Sequence, residues 1–162
     1  MHIPLPGRRR FGVVRASRAT TLGVLAAVLA VTSMSAVALA AGSTTLATGK
    51  ATVKHTTKTV VVDSRGLTLY TLSGESVKNL KCVNATCFNV WPPYKVSGSA
   101  KLSKAPGVSG TIGRLHRIKG KFYQVMLNGH PLYTFAGDAG KKGSAKGEGI
   151  TAFGGTWHVV SP

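Results

Sequence analysis

Two short segments with the same pattern decide the fold of this chain: Leu69-Tyr70-Thr71-Leu72-Ser73-Gly74-Glu75 and Leu132-Tyr133-Thr134-Phe135-Ala136-Gly137-Asp138. They align without a gap at an offset of 63 residues. Each is followed, 21 or 24 residues after its tyrosine, by a tryptophan, Trp91 or Trp157. This repeat predicts two copies of one supersecondary unit, which pack into one core because neither buries its apolar face alone.

Short β-prone runs separated by turn residues surround both segments, for example Thr59–Val62, Phe122–Leu127 and Thr156–Val160. Asn128-Gly129 is the strongest hairpin signal, because both residues tolerate the positive φ of a tight turn. No window after the first forty residues has sustained helical spacing of apolar residues. We therefore predict one small all-β domain of antiparallel hairpins over residues 58–162. Repeat 1 spans about 58–97 and repeat 2 about 121–162.

Residues 1–40 have the three zones of a secretion signal. A basic stretch ends at Arg18, an apolar run covers 21–31, and small residues end at Ala38-Leu39-Ala40. We predict a signal helix with cleavage between Ala40 and Ala41, and secretion or residence in the cell envelope. The alternative is an uncleaved membrane anchor, since residues 20–41 are long enough to span a bilayer.

Two further features concern the start of the chain. Arg8-Arg9-Arg10-Phe11 resembles a twin-arginine signal, so the export route stays open between that pathway and the general one. Residues 41–57 are rich in Ser, Thr, Ala and Lys and contain few large apolar side chains. This composition predicts a flexible tether before the folded domain.

The charge is strongly basic: 21 Lys and Arg against 4 Asp and Glu give +17. Five of the arginines lie in the predicted signal, which leaves 16 basic residues against 4 acidic ones, or +12, for the rest. Such a charge attracts polyanions in a salt-dependent way. The lysines are scattered and lack interleaved aromatics, so we do not expect nucleic-acid binding.

The segment Tyr133-x-Phe135-x-x-Asp138, together with Trp91-Pro92-Pro93 and the closing 153–157 segment Phe-Gly-Gly-Thr-Trp, resembles a known bacterial family. That family is described as a secreted repeat of unknown function, and its members as predicted lipoproteins with a Y-x-(F/W/Y)-x-x-D motif. The resemblance covers about residues 58–161 and implies a secreted protein without a known activity. Repeat 1 departs from the motif at Leu72 and Glu75, and no cysteine near the cleavage site can carry a lipid.

Cys82 and Cys87 are the only cysteines of the chain. In an exported domain we predict that they form a structural disulfide. A redox-active pair is the alternative, although the spacing is not the Cys-x-x-Cys of helix-start redox sites.

The motif residues permit two interpretations. Tyr133 and Phe135 share a strand face and fill the core in the first, where Asp138 accepts backbone N–H bonds at a turn. In the second, Asp138 and its counterpart Glu75 converge on a ligand or cation. Tyr70, Trp91 and Trp157 are likewise predicted as core residues, with a ligand platform as the alternative for the tryptophans.

Catalytic and metal-binding patterns are scarce. His116, His130 and His158 are not spaced as metal ligands, although Met126 and His130 together could hold copper. Four carboxylates follow the signal, and no serine lies in a nucleophile-elbow context. We predict no enzyme activity, no cofactor and no metal.

The Gly-rich segment 137–147 contains Lys141, Lys142 and Lys146 but lacks the spacing of a phosphate-binding loop. We interpret it as a mobile surface loop and as the best candidate contact with anionic surfaces. The expected partners are anionic envelope polymers, lipid head groups or another exported protein, bound by a monomer. The alternative function is a small-ligand, metal or redox site between the two repeats.

Overall fold

The computed structural model describes residues 45–162, and there it confirms an all-β domain of antiparallel sheets. The predicted signal over residues 1–40 and its cleavage site at Ala40 and Ala41 lie outside the described residues. Between residues 45 and 162, no helix is long and apolar enough to cross a membrane.

The described residues form nine strands, one short α-helix and one 3-10 turn. The strands are β1 (Ala47–Val53), β2 (Thr56–Val62), β3 (Tyr70–Leu72), β4 (Lys95–Val96), β5 (Ile112–Arg117), β6 (Phe122–Leu127), β7 (His130–Pro131), β8 (Thr151–Ala152) and β9 (Gly155–Val159). The helix α1 spans Ala85–Val90, and the 3-10 turn spans Ala136–Asp138. The sheets are the β1–β2 hairpin, the sheet β3–β9–β8 and the sheet β4–β6–β5. In the last sheet, β7 pairs with Met126 and Leu127 at the end of β6.

The turn predicted at Asn128-Gly129 is confirmed. Leu127 pairs with His130, so Asn128 and Gly129 form the whole loop between β6 and β7. Their φ angles are +52° and +76°, the left-handed conformation that Asn and Gly adopt at low cost. The Asn128 side-chain oxygen also accepts the N–H of Thr111 at 2.8 Å, which ties the turn to the start of β5.

The flexible tether predicted for residues 41–57 is wrong from residue 45 onward. β1 pairs with β2 along its full length, from Ala47 opposite Val62 to Val53 opposite Thr56. The sequence hides this strand because small side chains make its contacts. At Gly49, a Cβ atom would come within 2.8 Å of a Val62 methyl group, so the absence of a side chain lets the two strands pack closely.

The helix α1 is a second difference, since the sequence predicts no helix after the signal. Asn84 caps its N-terminus, because the Asn84 side-chain oxygen accepts the N–H of Cys87 at 3.0 Å. Cys87 is its one buried residue, so the helix carries no apolar stripe that a periodicity search could detect.

Three buried clusters form the core of the described residues. The first is aliphatic and lies between the hairpin and the β4–β6–β5 sheet; it contains Leu46, Val61, Leu69, Val108, Val125, Leu127 and Leu132. The second is aromatic and contains Tyr70, Leu72, Cys82, Cys87, Trp91, Tyr133 and Trp157. The third belongs to the hairpin and contains Ala51, Val53, Val60, Val62 and Ala145. Equivalent residues of the two repeats occupy the same cluster, as Leu69 and Leu132 do.

Leu46 offers a direct test of the N-terminal correction, because it is fully buried and its N–H donates to the Ser103 carbonyl at 3.0 Å. We expect Leu46→Ala to lower the free energy of unfolding by about 2–5 kcal/mol, as for other buried leucines. Thr48→Ala, at an exposed position of β1, should cost about 0.5 kcal/mol or less. Urea unfolding measures both; equal stability of the two variants would mean that this segment is a tether after all.

Candidate functional site

The two motif tyrosines pair directly with each other at the centre of the domain. The N–H of Tyr70 donates to the Tyr133 carbonyl at 2.8 Å, and the N–H of Tyr133 donates to the Tyr70 carbonyl at 3.0 Å. Both residues are fully buried. The two repeats therefore meet along the segments that carry the motif, which we call the motif segments.

Each motif segment also pairs with the segment that follows the tryptophan of the other repeat. Tyr70 in repeat 1 lies opposite Val159, two residues after Trp157. Tyr133 in repeat 2 lies opposite Pro93, two residues after Trp91. The repeats have thus exchanged strands, and neither forms a separate unit.

The aromatic side chains follow the same approximate two-fold symmetry. Trp91 and Trp157 stack with ring centroids 3.9 Å apart and planes 5° from parallel. Tyr70 lies edge-on to Trp91 at 5.3 Å, and Tyr133 lies edge-on to Trp157 at 5.1 Å. Phe135 stacks on the free face of Trp91 at 4.4 Å. Both indoles are fully buried and offer no exposed platform for a ligand.

Asp138 joins the loop that follows it to repeat 1. One carboxylate oxygen accepts the Tyr70 hydroxyl at 2.7 Å. The other accepts the Ser144 hydroxyl at 2.6 Å and the backbone N–H of Lys146 at 2.9 Å. Burial raises the pKa of Tyr70 far above its usual value, and the hydrogen bond to Asp138 adds to the shift. Tyr70 is therefore a fixed donor.

Glu75 is the counterpart of Asp138 and contacts the other tyrosine. Its Oε1 accepts the backbone N–H groups of Lys81 at 2.9 Å and Cys82 at 3.0 Å. Burial raises the pKa of Tyr133, and the nearby Glu75 charge raises it further. Yet the Tyr133 hydroxyl and Glu75 Oε2 are both buried without a partner at hydrogen-bonding geometry. The pair repeats the Tyr70–Asp138 arrangement without its short bond.

The hypothesis that Glu75 and Asp138 converge on one ligand finds no support in this geometry. Asp138 borders a cleft lined also by Arg65, Thr134 and Lys141, whereas Glu75 does not line it. Both carboxylates accept hydrogen bonds from their own loops. Among residues 45–162, no group of three or more His, Cys, Asp or Glu side chains could hold a metal ion.

The predicted disulfide between Cys82 and Cys87 is confirmed, with Cα atoms 5.5 Å apart. Both cysteines are buried in the aromatic cluster. Their backbone groups are also used: the N–H of Cys82 donates to Glu75, and the Arg117 guanidinium donates to the Cys82 carbonyl. The bond stabilises the loop between Glu75 and α1.

The three lysines of the Gly-rich segment are exposed, but the mobile loop predicted for this segment is wrong, because hydrogen bonds hold its backbone to the rest of the fold. Its Gly143 carbonyl accepts the N–H of Thr52 at 2.9 Å, and its Ser144 carbonyl accepts the Thr68 hydroxyl at 2.6 Å. Ala145 is buried in the hairpin cluster. Lys141, Lys142 and Lys146 are therefore presented on a defined surface.

Arg65 adds a fourth cation that the sequence analysis did not select. It lines one cleft with Lys141 and a second with Lys142. It follows Asp63 in the turn after β2, and the only sequence signal was that turn. We name Arg65, Lys141, Lys142 and Lys146 the basic surface.

All four carboxylates in the described part of the chain are used inside the fold. Asp63 accepts the Arg65 guanidinium and the backbone N–H groups of Arg65 and Leu67. Glu148 accepts the N–H of Val159 and a ring nitrogen of His158; partial burial disfavours its charged form, but these two partners lower its pKa overall. Of the 16 Lys and Arg residues between 45 and 162, Arg65 alone lies within salt-bridge distance of an acid.

Comparison with known proteins supports the family resemblance for one repeat. Residues 119–161 match the model of a family described as a secreted repeat of unknown function. The description as secreted supports an extracytoplasmic location. The extension of the resemblance to residues 58–118 stays a prediction. No curated protein and no solved structure matches the chain.

The two tyrosine–carboxylate pairs predict unequal effects of the same substitution. Tyr70→Phe removes a hydrogen bond to a buried carboxylate, and we expect a loss of about 1.5–3 kcal/mol in the free energy of unfolding. Tyr133→Phe removes a buried hydroxyl without such a bond, so we expect a change within about 0.5 kcal/mol. Urea unfolding of both variants tests this, and equal losses would show that both pairs are hydrogen-bonded.

Proposed function

We propose that this chain is an exported, non-catalytic module that binds anionic material of the cell envelope through its basic surface. The proposal rests mainly on one observation: between residues 45 and 162 the fold uses all four carboxylates internally and leaves 15 of the 16 Lys and Arg without an acidic partner. Few negative charges remain to compensate the exposed lysines. The exposed charges of residues 45–162 are therefore mostly positive.

The local geometry supports the basic surface as the centre of this attraction. Arg65 lines one cleft with Lys141 and another with Lys142. The Lys142 side-chain carbons lie 3.3 Å from the Cβ position that Gly66 lacks, so the lysine packs over the Arg65 turn. Phosphate groups suit the lysines of this cluster, because lysine forms charge-assisted hydrogen bonds with them. Arg65 Nε and one terminal nitrogen bind Asp63, but the Arg65 side chain is still 66% exposed.

The backbone that presents the three lysines is also preorganised for binding. The loop of the three lysines is fixed by Asp138 and by bonds to β1 and Thr68, so binding an anion does not have to order its backbone first. Ordering a flexible segment on binding costs affinity. The motif acid Asp138 therefore also helps to present the lysines.

Charge substitutions test the proposal on the protein that begins at Ala41, the product of the predicted cleavage. All three buried clusters of the described residues lie within 45–162, so this form retains each of them. We expect the wild type to bind immobilised polyphosphate and vesicles containing phosphatidylglycerol, with affinity that falls as salt rises. The combined change Lys141→Gln, Lys142→Gln and Lys146→Gln should weaken vesicle binding on the order of 100-fold, at about 1 kcal/mol per lysine near the surface.

The matched control is the combined change Lys58→Gln, Lys78→Gln and Lys101→Gln, which removes the same charge from exposed positions outside the basic surface. It should weaken binding less than tenfold, because distant charges act only through the overall field. Circular dichroism verifies that both variants are folded. Equal losses would reject the basic surface, and a wild type that binds neither material at low salt would reject the proposed function.

A further inference from the structure

An apolar groove of about 330 Å³ lies on another part of the domain, beside the disulfide loop. Leu80, Val83 and Phe88 line it from that loop and α1. Ile118 and Lys119 line it from the turn between β5 and β6. No carboxylate lines the groove.

Two aliphatic side chains that line the groove, Val83 and Ile118, are unusually exposed, and we call them the aliphatic tips. Ile118 exposes 77% of its surface and Val83 exposes 50%, the highest values among the large hydrophobic residues of the described chain. Both lie on the same groove, whereas isolated exposed apolar residues are ordinary. Neither side chain belongs to a buried cluster, so core packing does not explain their position.

Cations surround these tips. Lys119 and Lys121 are exposed in the same turn as Ile118. The Lys95 ammonium lies 4.6 Å from the ring centre of Phe122, which packs edge-on against Phe88 at 5.9 Å. The exposed aliphatic side chains that line the groove are thus bordered by positive charge.

We propose that this groove docks onto an anionic phospholipid membrane. Val83 and Ile118 enter the boundary between head groups and acyl chains, and Lys119 and Lys121 contact the lipid phosphates. This inference rests on the proposed function, of which it specifies one partner, and it adds a second contact surface apart from the basic surface. The combination of aliphatic tips and surrounding lysines is that of interfacial membrane binding.

Other occupants match the surface less well. A soluble anionic polymer would engage the lysines but would gain nothing from Val83 and Ile118. A second copy of the chain would bring Lys119 and Lys121 of both molecules together, and like charges repel. An anionic bilayer complements both parts of the surface.

Serine substitutions at the two tips test the docking. We expect Ile118→Ser and Val83→Ser each to weaken binding to phosphatidylglycerol vesicles about tenfold, since each removes an apolar side chain that enters the membrane. Val77→Ser is the matched control, because Val77 is 43% exposed but does not line the groove, and it should bind as the wild type does. Vesicle co-sedimentation measures all three, and unfolding curves verify that the variants are stable.

A second measurement reports insertion directly. In Ile118→Trp, the new indole should shift its emission to shorter wavelength on anionic vesicles and be quenched by lipids with brominated acyl chains. The two native tryptophans are fully buried, so the wild type should show neither change. Absence of the shift and quenching would overturn the docking.

Polyphosphate separates a failure of this inference from a failure of the proposed function. Ile118→Ser should bind polyphosphate as the wild type does, because that polymer has no apolar phase. If polyphosphate binding persists while both serine variants bind vesicles normally, the groove is not a docking surface and the proposed function stands. A wild type that binds neither vesicles nor polyphosphate overturns both.

Discussion

The fold depends on the antiparallel contact between Tyr70 and Tyr133. It places the two motif segments side by side, and each of them also pairs with the segment that follows the tryptophan of the opposite repeat. The exchange brings Trp91 and Trp157 face to face. One shared aromatic core results, where two separate small cores would each have been too small to be stable.

The sequence predicts those parts of the structure that depend on local chemistry or on the repeat. Asn128-Gly129 forms its turn because both residues accept positive φ, and equivalent residues of the repeats are buried together. β1 is not predictable, because Ala51 and Gly49 contribute to packing through their small size, which resembles a linker composition. The exchange of strands is also beyond sequence patterns, since it concerns which strand pairs with which.

The candidate site also has one part that the sequence predicts and one part that only the tertiary structure reveals. The tyrosines, tryptophans and acids of the motif are identifiable from the alignment of the repeats, and Lys141 and Lys142 from the Gly-rich loop. The crossed contact of Tyr70 with Asp138 requires the tertiary structure, as does the proximity of Arg65 to the lysines. Ile118 and Val83 have no sequence signal at all, because only the fold determines which aliphatic side chains stay exposed.

The separation of β9 from its partner strand along the chain affects the order of folding. Tyr70 pairs with Val159 across 89 residues, and β9 also carries Trp157 into the middle of the core. Contacts so distant in sequence form late, because the entropy of closing the intervening chain has to be overcome first. During synthesis the earlier segments therefore wait, without their aromatic partner, until β9 has emerged. Until then the motif tyrosines, which are fully buried in the folded domain, lack part of the core that covers them.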